Sequence, residues 1–534
     1  MRIVSTKEMV EIETETKEEF GISEGLIIEN VGVQGAMTIS NILNDNAIDK
    51  EILFLLGKGN NAADGLAISR HLSNYGFKCR GLVFFSEDDL KDCMKDQMSM
   101  AKSCGVVLNF IDSAMGLSSY FEQMGSTVIV DCLFGTGVRL PLSDFLYEVI
   151  ELTNDNSAYT FSIDIASGVE SDTGFVQGNS IKANGTLAIG YPKLGHYISN
   201  GARSTGDLSI LNCGFPRDFN FRGDKFLLRP EHMVDLVNER DPFGDKKVFG
   251  HSLVIGGSHG LTGAPCLAAQ ASLNVGSGLV TAATWEPQYQ EMITRLIPEI
   301  MTGYIPLDFE KWDRLIIDLN KYSSIVIGPG LAKSAMSRRL VLEVLNNFDG
   351  PVILDADAIN VLKYDEDKKA FTMRNAPTVL TPHFGEFANF AKVEYEQLKQ
   401  RPVEFLKKLV EEINCTVVLK GPCTYLGCTD GSVYLNYFPN DGMATGGAGD
   451  VLAGILGGLL GQESALKDQA PLVHRYEAFN RTVAVGIYIH SLAGRLAADT
   501  IGVRAMSARS LIELLPKAFN ELNEDIDKMY QDHK

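Results

Sequence analysis

Ile52-Leu53-Phe54-Leu55-Leu56 runs directly into Gly57-Lys58-Gly59-Asn60-Asn61-Ala62-Ala63-Asp64-Gly65, and the pattern at 66–72 is helical. A short unbroken apolar run bounded by glycine reads as a strand buried on both faces. A glycine-rich turn between strand and helix brings backbone close to a ligand, and the helix N-terminus favours an anion. The string is neither a GxGxxG fingerprint nor a Walker motif, and alone it is equally a plain turn.

The same strand-then-helix grammar continues outward. Runs at 78–85, 127–130 and 159–163, then at 252–255, 324–327, 352–354 and 416–419, read as further buried strands separated by helical patterns. That alternation predicts an α/β protein with parallel sheets covered by helices. Most of these strands end on Gly, Asp or Asn, and in open α/β sheets ligands bind beyond the carboxyl ends. At 534 residues the chain is too long for one core. Arg-Pro, Asp-Pro and Gly-Asp turn signals at 212–247 place a boundary near 221–224, hence domains 1–222 and 223–534. The region 462–481 reads as an irregular insertion, and the charged tail after Asn523 as frayed.

A net charge of −20 argues against nucleic acid or an anionic membrane as partner. No signal-peptide pattern opens the chain, and the apolar run 451–461 is too short to span a bilayer. Nine cysteines without a CxxC pair read as free thiols in a reducing cytoplasm. A cytoplasmic homo-oligomer acting on small molecules is the expectation.

Two acidic strand ends accompany the first glycine turn. Asp131 leads into Phe134-Gly135-Thr136-Gly137-Val138-Arg139-Leu140-Pro141, and Asp164 lies in Ser162-Ile163-Asp164-Ile165-Ala166-Ser167-Gly168. Carboxylates, Asn and Ser at neighbouring strand ends can bind a cation through oxygen, although each Asp alone equally caps the loop or helix after it. These strings, with GYPKLGH at 190–196, resemble the NAD(P)H-hydrate epimerase family over about 1–220. The resemblance implies a Rossmann-like three-layer αβα sandwich that binds potassium and the hydrated dinucleotide. Asn60, Asn61, Ala62, Ala63 and Asp64, with Gly135, Thr136, Gly137, Val138, Arg139, Leu140 and Pro141, would line the dinucleotide site. Asn61, Asp131 and Ser167 would hold potassium, and Asp164 would face the nicotinamide. Ala62-Ala63 replaces a usual Gly-Gly, and Ala166 a usual Pro. Inverting C6 of the hydrate requires a proton to leave or return as the C–O bond opens and re-forms. Asp164 is the candidate group, and Asp131 the runner-up.

In the second half, Asp441-Gly442-Met443-Ala444-Thr445-Gly446-Gly447-Ala448-Gly449-Asp450 precedes a helical run at 451–460. Flexible backbone at a helix start makes an anion hole, and an Asp in its first turn can act as base toward an attacking hydroxyl. Gly328-Pro329-Gly330, Asp355-Ala356-Asp357, Thr381-Pro382-His383-Phe384-Gly385-Glu386 and Lys420-Gly421-Pro422-Cys423-Thr424 stand at strand ends around it. With FGHSLVIGGSHGLTGAP at 249–265 and NVGSGLV at 274–280, these strings resemble the ribokinase-like ADP- or ATP-dependent NAD(P)H-hydrate dehydratases over about 226–515. By that resemblance Gly330, His383, Phe384, Gly385, Glu386 and Asp450 touch the hydrate. Lys420, Gly421, Pro422, Cys423 and Thr424 line the nucleotide cleft, with Asn440, Gly442, Met443, Ala444, Thr445, Gly446, Gly447, Ala448 and Gly449. Asp450 is catalytic, and Mg²⁺ accompanies the ADP or ATP. Phe384 stands where proline is usual, and GPGLAK where GPGLG is.

The function expected is epimerisation of hydrated NADH and NADPH and nucleotide-dependent dehydration of the S form. Two alternatives stay open. One is a ribokinase-type small-molecule kinase fused to a nucleotide-sensing domain. The other is a non-enzymatic binding role for the first half.

Overall fold

The computed structural model describes residues 1–45, 51–124, 128–233, 242–312, 318–466 and 472–532. Its first compact unit is Arg2–Gly223, and its second is Asp224–Lys534 together with Met1.

In the first unit the apolar run opens strand β1 (Glu51–Leu56). With β2 (Lys78–Val83), β3 (Val107–Phe110), β4 (Val128–Cys132), β5 (Thr160–Ile163), β6 (Gly185–Ile189) and β7 (Asp207–Leu211) it forms one sheet. The order is β3-β2-β1-β4-β5-β6-β7, with every pair parallel. Strand residues alternate faces, which explains the continuous hydrophobicity of β1. Ile52, Phe54 and Leu56 join Val31, Leu66 and Met94 in one apolar cluster, while Leu53 and Leu55 join Leu117, Leu146 and Val149 in another. Helices Glu24–Asp45, Asn60–Asn74 and Asp92–Ser103 thus cover one face, and Ala114–Met124 and Asp144–Asp155 the other. The strand order reverses between β1 and β4, so their carboxyl ends diverge and leave a crevice there.

The second unit holds a ten-stranded sheet. Its strands are β8 (Lys225–Leu227), β9 (His251–Ile255), β10 (Leu279–Trp285), β11 (Met301–Ile305) and β12 (Ser324–Ile327). To these it adds β13 (Val352–Leu354), β14 (Thr378–Leu380), β15 (Thr416–Leu419), β16 (Cys423–Gly427) and β17 (Val433–Tyr437). The order is β11-β10-β9-β12-β13-β14-β15-β16-β17-β8, and only the β15–β16 and β16–β17 pairs are antiparallel. Helices Gly263–Asn274, Ala448–Leu466, Leu472–Ile501 and Ala508–Asp532 share one large apolar core with Val254, Val326, Ile353 and Val418. Among the described residues no helix is long and apolar enough to cross a membrane. All nine cysteines are free.

Several local expectations need correction. The tail after Asn523 is not frayed: the helix runs to Asp532, and Leu511, Leu515, Ala518, Leu522 and Ile526 form a buried stripe along it. Their i, i+4, i+7 spacing is that of an amphipathic helix, which the charges between them obscured. The region 462–481 is helical up to Leu466 and again from Leu472; residues 467–471 lie outside the described set. Residue 127, where one strand was expected to begin, also lies outside it. β4 continues past 130, so Asp131 sits inside the strand and not at its end.

Candidate functional sites in the two units

Helix Asn60–Asn74 begins earlier than the sequence suggests, which shortens the turn to residues 57–59. Gly57 is required there by a close approach, since a Cβ on it would lie 1.9 Å from the Leu133 carbonyl oxygen beyond β4. A cavity of about 1050 Å³ opens at this crevice, lined among others by Asn60, Asn61, Asp64, Asp164, Lys193 and the 134–139 loop. Pro141 also lines it. Leu140 is not among its lining residues, nor are Ala62 and Ala63, whose methyls pack into apolar clusters with Leu66 and with Ile28 and Ala67. The added methyls therefore fill the helix underside and not the ligand space, and side-chain contact from these three residues is not supported.

Asp131 is fully buried and accepts four hydrogen bonds. Leu133 N–H (3.2 Å) and Ser167 Oγ–H (2.6 Å) donate to Oδ1, and Ser162 Oγ–H (2.8 Å) and Ser167 N–H (2.9 Å) to Oδ2. Burial raises its pKa, an effect the bonds from Ser167, Ser162 and Leu133 only partly offset. So enclosed, and absent from the cavity lining, Asp131 is not a base for a substrate there, which removes the runner-up. Asn61 Nδ2 donates to the Phe134 carbonyl (2.8 Å), and Phe134 N–H donates to Ser167 Oγ (3.0 Å). The chain Asn61–Phe134–Ser167–Asp131 joins the three expected potassium ligands through a residue whose carbonyl no sequence signal singled out. The buried Asn61 Oδ1 has no hydrogen-bond partner. An orphaned amide oxygen, linked through Phe134 and Ser167 to a buried carboxylate served by neutral donors, fits a monovalent cation with oxygen ligands.

Asp164 lies at the lip of the same cavity, in the left-handed region with φ 68°. Such a conformation in a non-glycine residue is held by its surroundings and is concentrated at functional sites. Lys193 Nζ donates to its Oδ1, Ile189 N–H donates to the same oxygen (3.3 Å), and Thr136 N–H donates to Oδ2 (3.3 Å). Burial pushes the Asp164 carboxyl up, but the charge and hydrogen bond of Lys193, with His196 and Ile189, outweigh it and bring the net value below the ordinary one. Asp64, without such a partner, is pushed well above the ordinary value by burial and then by Asp164, Glu13 and Glu24. Lys193 and His196 went unassigned, although a lysine inside the apolar, glycine-flanked string GYPKLGH was their visible signal.

In the second unit, helix Ala448–Leu466 carries Asp450 in its first turn. Residues 444–447 link it to the short helix Asp441–Met443. Gly447 has φ 94°, and a Cβ on it would strike Leu267 and Ala508, so glycine alone permits this tight entry. Gly446 faces open space. Burial, then the nearby Asp355, raise the Asp450 carboxyl to about 7, against the pull of Lys420. Lys420 Nζ donates to Asp355 Oδ1 (2.7 Å), which also accepts from Thr381 Oγ1 (2.7 Å). A Cβ on Gly449 would lie 3.2 Å from that ammonium, which places Lys420 against the helix start. The fold thus gathers Asp355, Lys420, Asp450 and the glycine loop. Asp355, singled out only as a companion of the motif, is a central member.

Other expected residues have structural roles. His383 caps helix Phe384–Ala391: its Nδ1 accepts from Gly385 and Glu386 N–H, while Glu386 Oε2 accepts from His383 N–H (2.9 Å). Asn440 caps the 441–443 turn through Gly442 N–H and donates to the Gly494 carbonyl (2.9 Å). Met443 packs against the apolar core, and Cys423 is buried, so neither side chain presents to a cleft. Phe384 lies edge-on to Tyr425 with centroids 6.3 Å apart. Gly330, at φ 62°, sits against the Leu261 carbonyl. Among the described residues no group of three or more His, Cys, Asp or Glu is placed to hold a metal ion.

Two α/β units, each with a lysine–carboxylate pair at its sheet's carboxyl ends, define a two-domain α/β chain with two candidate catalytic centres. Two family models match it: YjeF-related protein N-terminus over residues 25–195 and NAD(P)H-hydrate dehydratase over residues 252–517. The bifunctional NAD(P)H-hydrate repair enzyme Nnr of Moorella thermoacetica is 33% identical over 541 residues, covering 99% of this chain and 98% of the relative. That of Thermofilum pendens is 30% identical with the same coverage. A crystal structure of the Bacillus subtilis ADP/ATP-dependent NAD(P)H-hydrate dehydratase, co-crystallised with ATP and Mg²⁺, aligns at 28% identity, covering 56% of this chain and 98% of that one, with a TM-score of 0.47. The chain belongs to the family of bifunctional NAD(P)H-hydrate repair enzymes.

Proposed function

We propose that residues 1–222 epimerise the R and S forms of hydrated NADH and NADPH, and that residues 223–534 dehydrate the S form with ADP or ATP. The observation that carries the reading is the presence of two differently tuned carboxylates, one in each unit, each suited to the chemistry of its site. Asp164 is held ionised beside Lys193, and Asp450 is raised to about 7 at an anion-binding helix start. Inversion at C6 balances if the hydroxyl proton leaves while the C6–N1 bond, and not the C–O bond, opens with its electron pair on N1 to give an aldehyde; ring closure on the other face then returns the proton to the C6 oxygen. Asp164, ionised, is in the state to take that proton. Asn61, Ser167, Asp131 and the Phe134 carbonyl would hold potassium, whose positive charge would favour binding of the dinucleotide phosphates.

In the second half Asp450 takes the C6 hydroxyl proton as that oxygen attacks the terminal phosphorus of the nucleotide, whose bond to the bridging oxygen breaks to release AMP from ADP or ADP from ATP. Lys420, restrained by Asp355, and the N–H groups of 446–449 stabilise the charge on the transferred group. The C6–O bond then breaks with the electron pair of the ring nitrogen, inorganic phosphate leaves, and loss of a C5 proton restores the dihydronicotinamide. The nine free thiols agree with a reducing cytoplasmic setting.

The test is direct: incubate the full chain with hydrated NADH and ADP or ATP, and follow reduced-nicotinamide absorbance and phosphate. Recovery of NADH with one phosphate per turnover is expected. A stable phosphorylated product without NADH would make the second half a kinase. Asp164→Asn should abolish epimerisation and leave dehydration of the S form.

A further inference from the structure

Asp164 and Lys193 are 29 residues apart in sequence, and the fold closes that gap by setting the ammonium on Oδ1. Lys193 is 1% exposed, and its Nζ also donates to the Ile189 carbonyl (3.2 Å). Ile189 N–H adds a second donor to Oδ1. Oδ2 faces the cavity loop: it takes the 3.3 Å bond from Thr136 N–H and would lie 3.1 Å from a Cβ on Gly135. The two oxygens of one carboxylate are therefore in different states.

We propose that Lys193 is the positioning residue for Asp164: by occupying Oδ1 it leaves Oδ2, beside Gly135 and Thr136, as the oxygen that takes and returns the C6 hydroxyl proton. The inference rests on the epimerase reading of this half.

His196 completes the device. Lys193 N–H donates to its Nδ1 (3.1 Å), so Nδ1 carries no proton, and Nε2–H donates to the Asp164 carbonyl (2.9 Å). Burial, and then the Lys193 charge, lower His196 to about 4, so it stays neutral and keeps this tautomer. One short segment thereby grips the strained Asp164 residue twice, by backbone carbonyl and by carboxylate. A merely structural ion pair has no need of a left-handed backbone at a cavity lip.

The charged groups around Asp164 set the pH consequence. Charged groups coupled to it are Asp64 and Glu13 from two helices; Glu24 acts on both of these, Lys91 acts on Glu13, and Arg139 lines the same cavity. Without the Lys193 ammonium, burial and the Asp64 and Glu13 carboxyl groups would act on Asp164 largely unopposed, and its pKa would rise. Only the ionised form takes the proton, so the acid limb of epimerisation must move to higher pH.

The experiment measures R-to-S interconversion by chromatography between pH 5 and 8, less the uncatalysed rate, for wild type, Lys193→Met, Lys193→Arg and Asp164→Asn. A group held below the ordinary carboxylate value of about 3.9 leaves the wild type flat within about twofold. Lys193→Met should lose at least about tenfold between pH 8 and pH 5, the loss expected of a carboxylate whose pKa has risen to about 6. Lys193→Arg should keep the wild-type profile at a reduced rate. A wild-type limb centred near pH 6 overturns the proposal without any variant, so a misfolded Lys193→Met cannot shelter it. A Lys193→Met profile superimposable on wild type overturns it as well. So does equal loss at every pH in both lysine variants with thermal midpoints intact, since Lys193 would then be a reacting group itself. Full activity in Asp164→Asn would instead refute the role of Asp164.

Discussion

Asp450→Asn tests the dehydratase centre. Asparagine keeps the size of the side chain and its place in the first turn of Ala448–Leu466, but it cannot accept a hydroxyl proton at neutral pH. General-base contributions are on the order of 10²- to 10⁴-fold, so dehydration should fall at least about 10²-fold. Nucleotide binding should change little, because the N–H groups of 446–449 are untouched. The loss should therefore appear in kcat and kcat/KM alike, as expected for an interaction made in the transition state. The pH profile gives a second reading of the same group. With a pKa of about 7, Asp450 is ionised in roughly a tenth of molecules at pH 6, so wild-type dehydration should rise through pH 7 and level off above pH 8. Asp355 is the charge that adds to burial in raising it, so Asp355→Asn should move that limb to lower pH. The assay is return of reduced-nicotinamide absorbance from purified S-form hydrate at saturating nucleotide. Dehydration in Asp450→Asn within a few-fold of wild type would refute the base assignment. Loss of epimerisation in the same variant would mark misfolding.

His383→Ala removes a helix cap, and the second unit should lose about 1 kcal/mol of stability; an unchanged KM for the hydrate would show that capping is its whole role. Replacing potassium by a bulky organic cation should slow epimerisation and spare dehydration, and equal epimerisation rates in both salts would remove the ion from the scheme. Fragments cut between Gly223 and Asp224 should each fold, as judged by cooperative melting. A second-half fragment begun after Leu228 lacks β8, the edge strand on β17, and should melt lower.

Sequence sufficed for the α/β class, for the strand before the first glycine-rich turn and the strands carrying Asp355 and Lys420 at their ends, and for the acidic positions around which the sites are built; the strand before the second glycine-rich turn, β17, was not read. These are local signals: an unbroken apolar run, a glycine at a strand end, an Asp at a helix start are each written in a few adjacent residues. The amphipathic stripe of the last helix was equally local, but it was hidden by the charges between its apolar positions. Which acidic residue meets which partner was a matter for the tertiary fold. Sequence ranked Asp164 ahead of Asp131 as the reacting carboxylate but gave no partner to either; the sheet buries Asp131 among four neutral donors and opens Asp164 to a cavity beside Lys193. Asp355 became part of the second site only because β13, β14 and β15 lie side by side and bring its carboxylate to Lys420. The physical reason is range. Secondary structure arises from neighbours along the chain, whereas burial, the state of a carboxyl group and the pairing of charges depend on distances of a few ångströms between residues that the sheet order brings together.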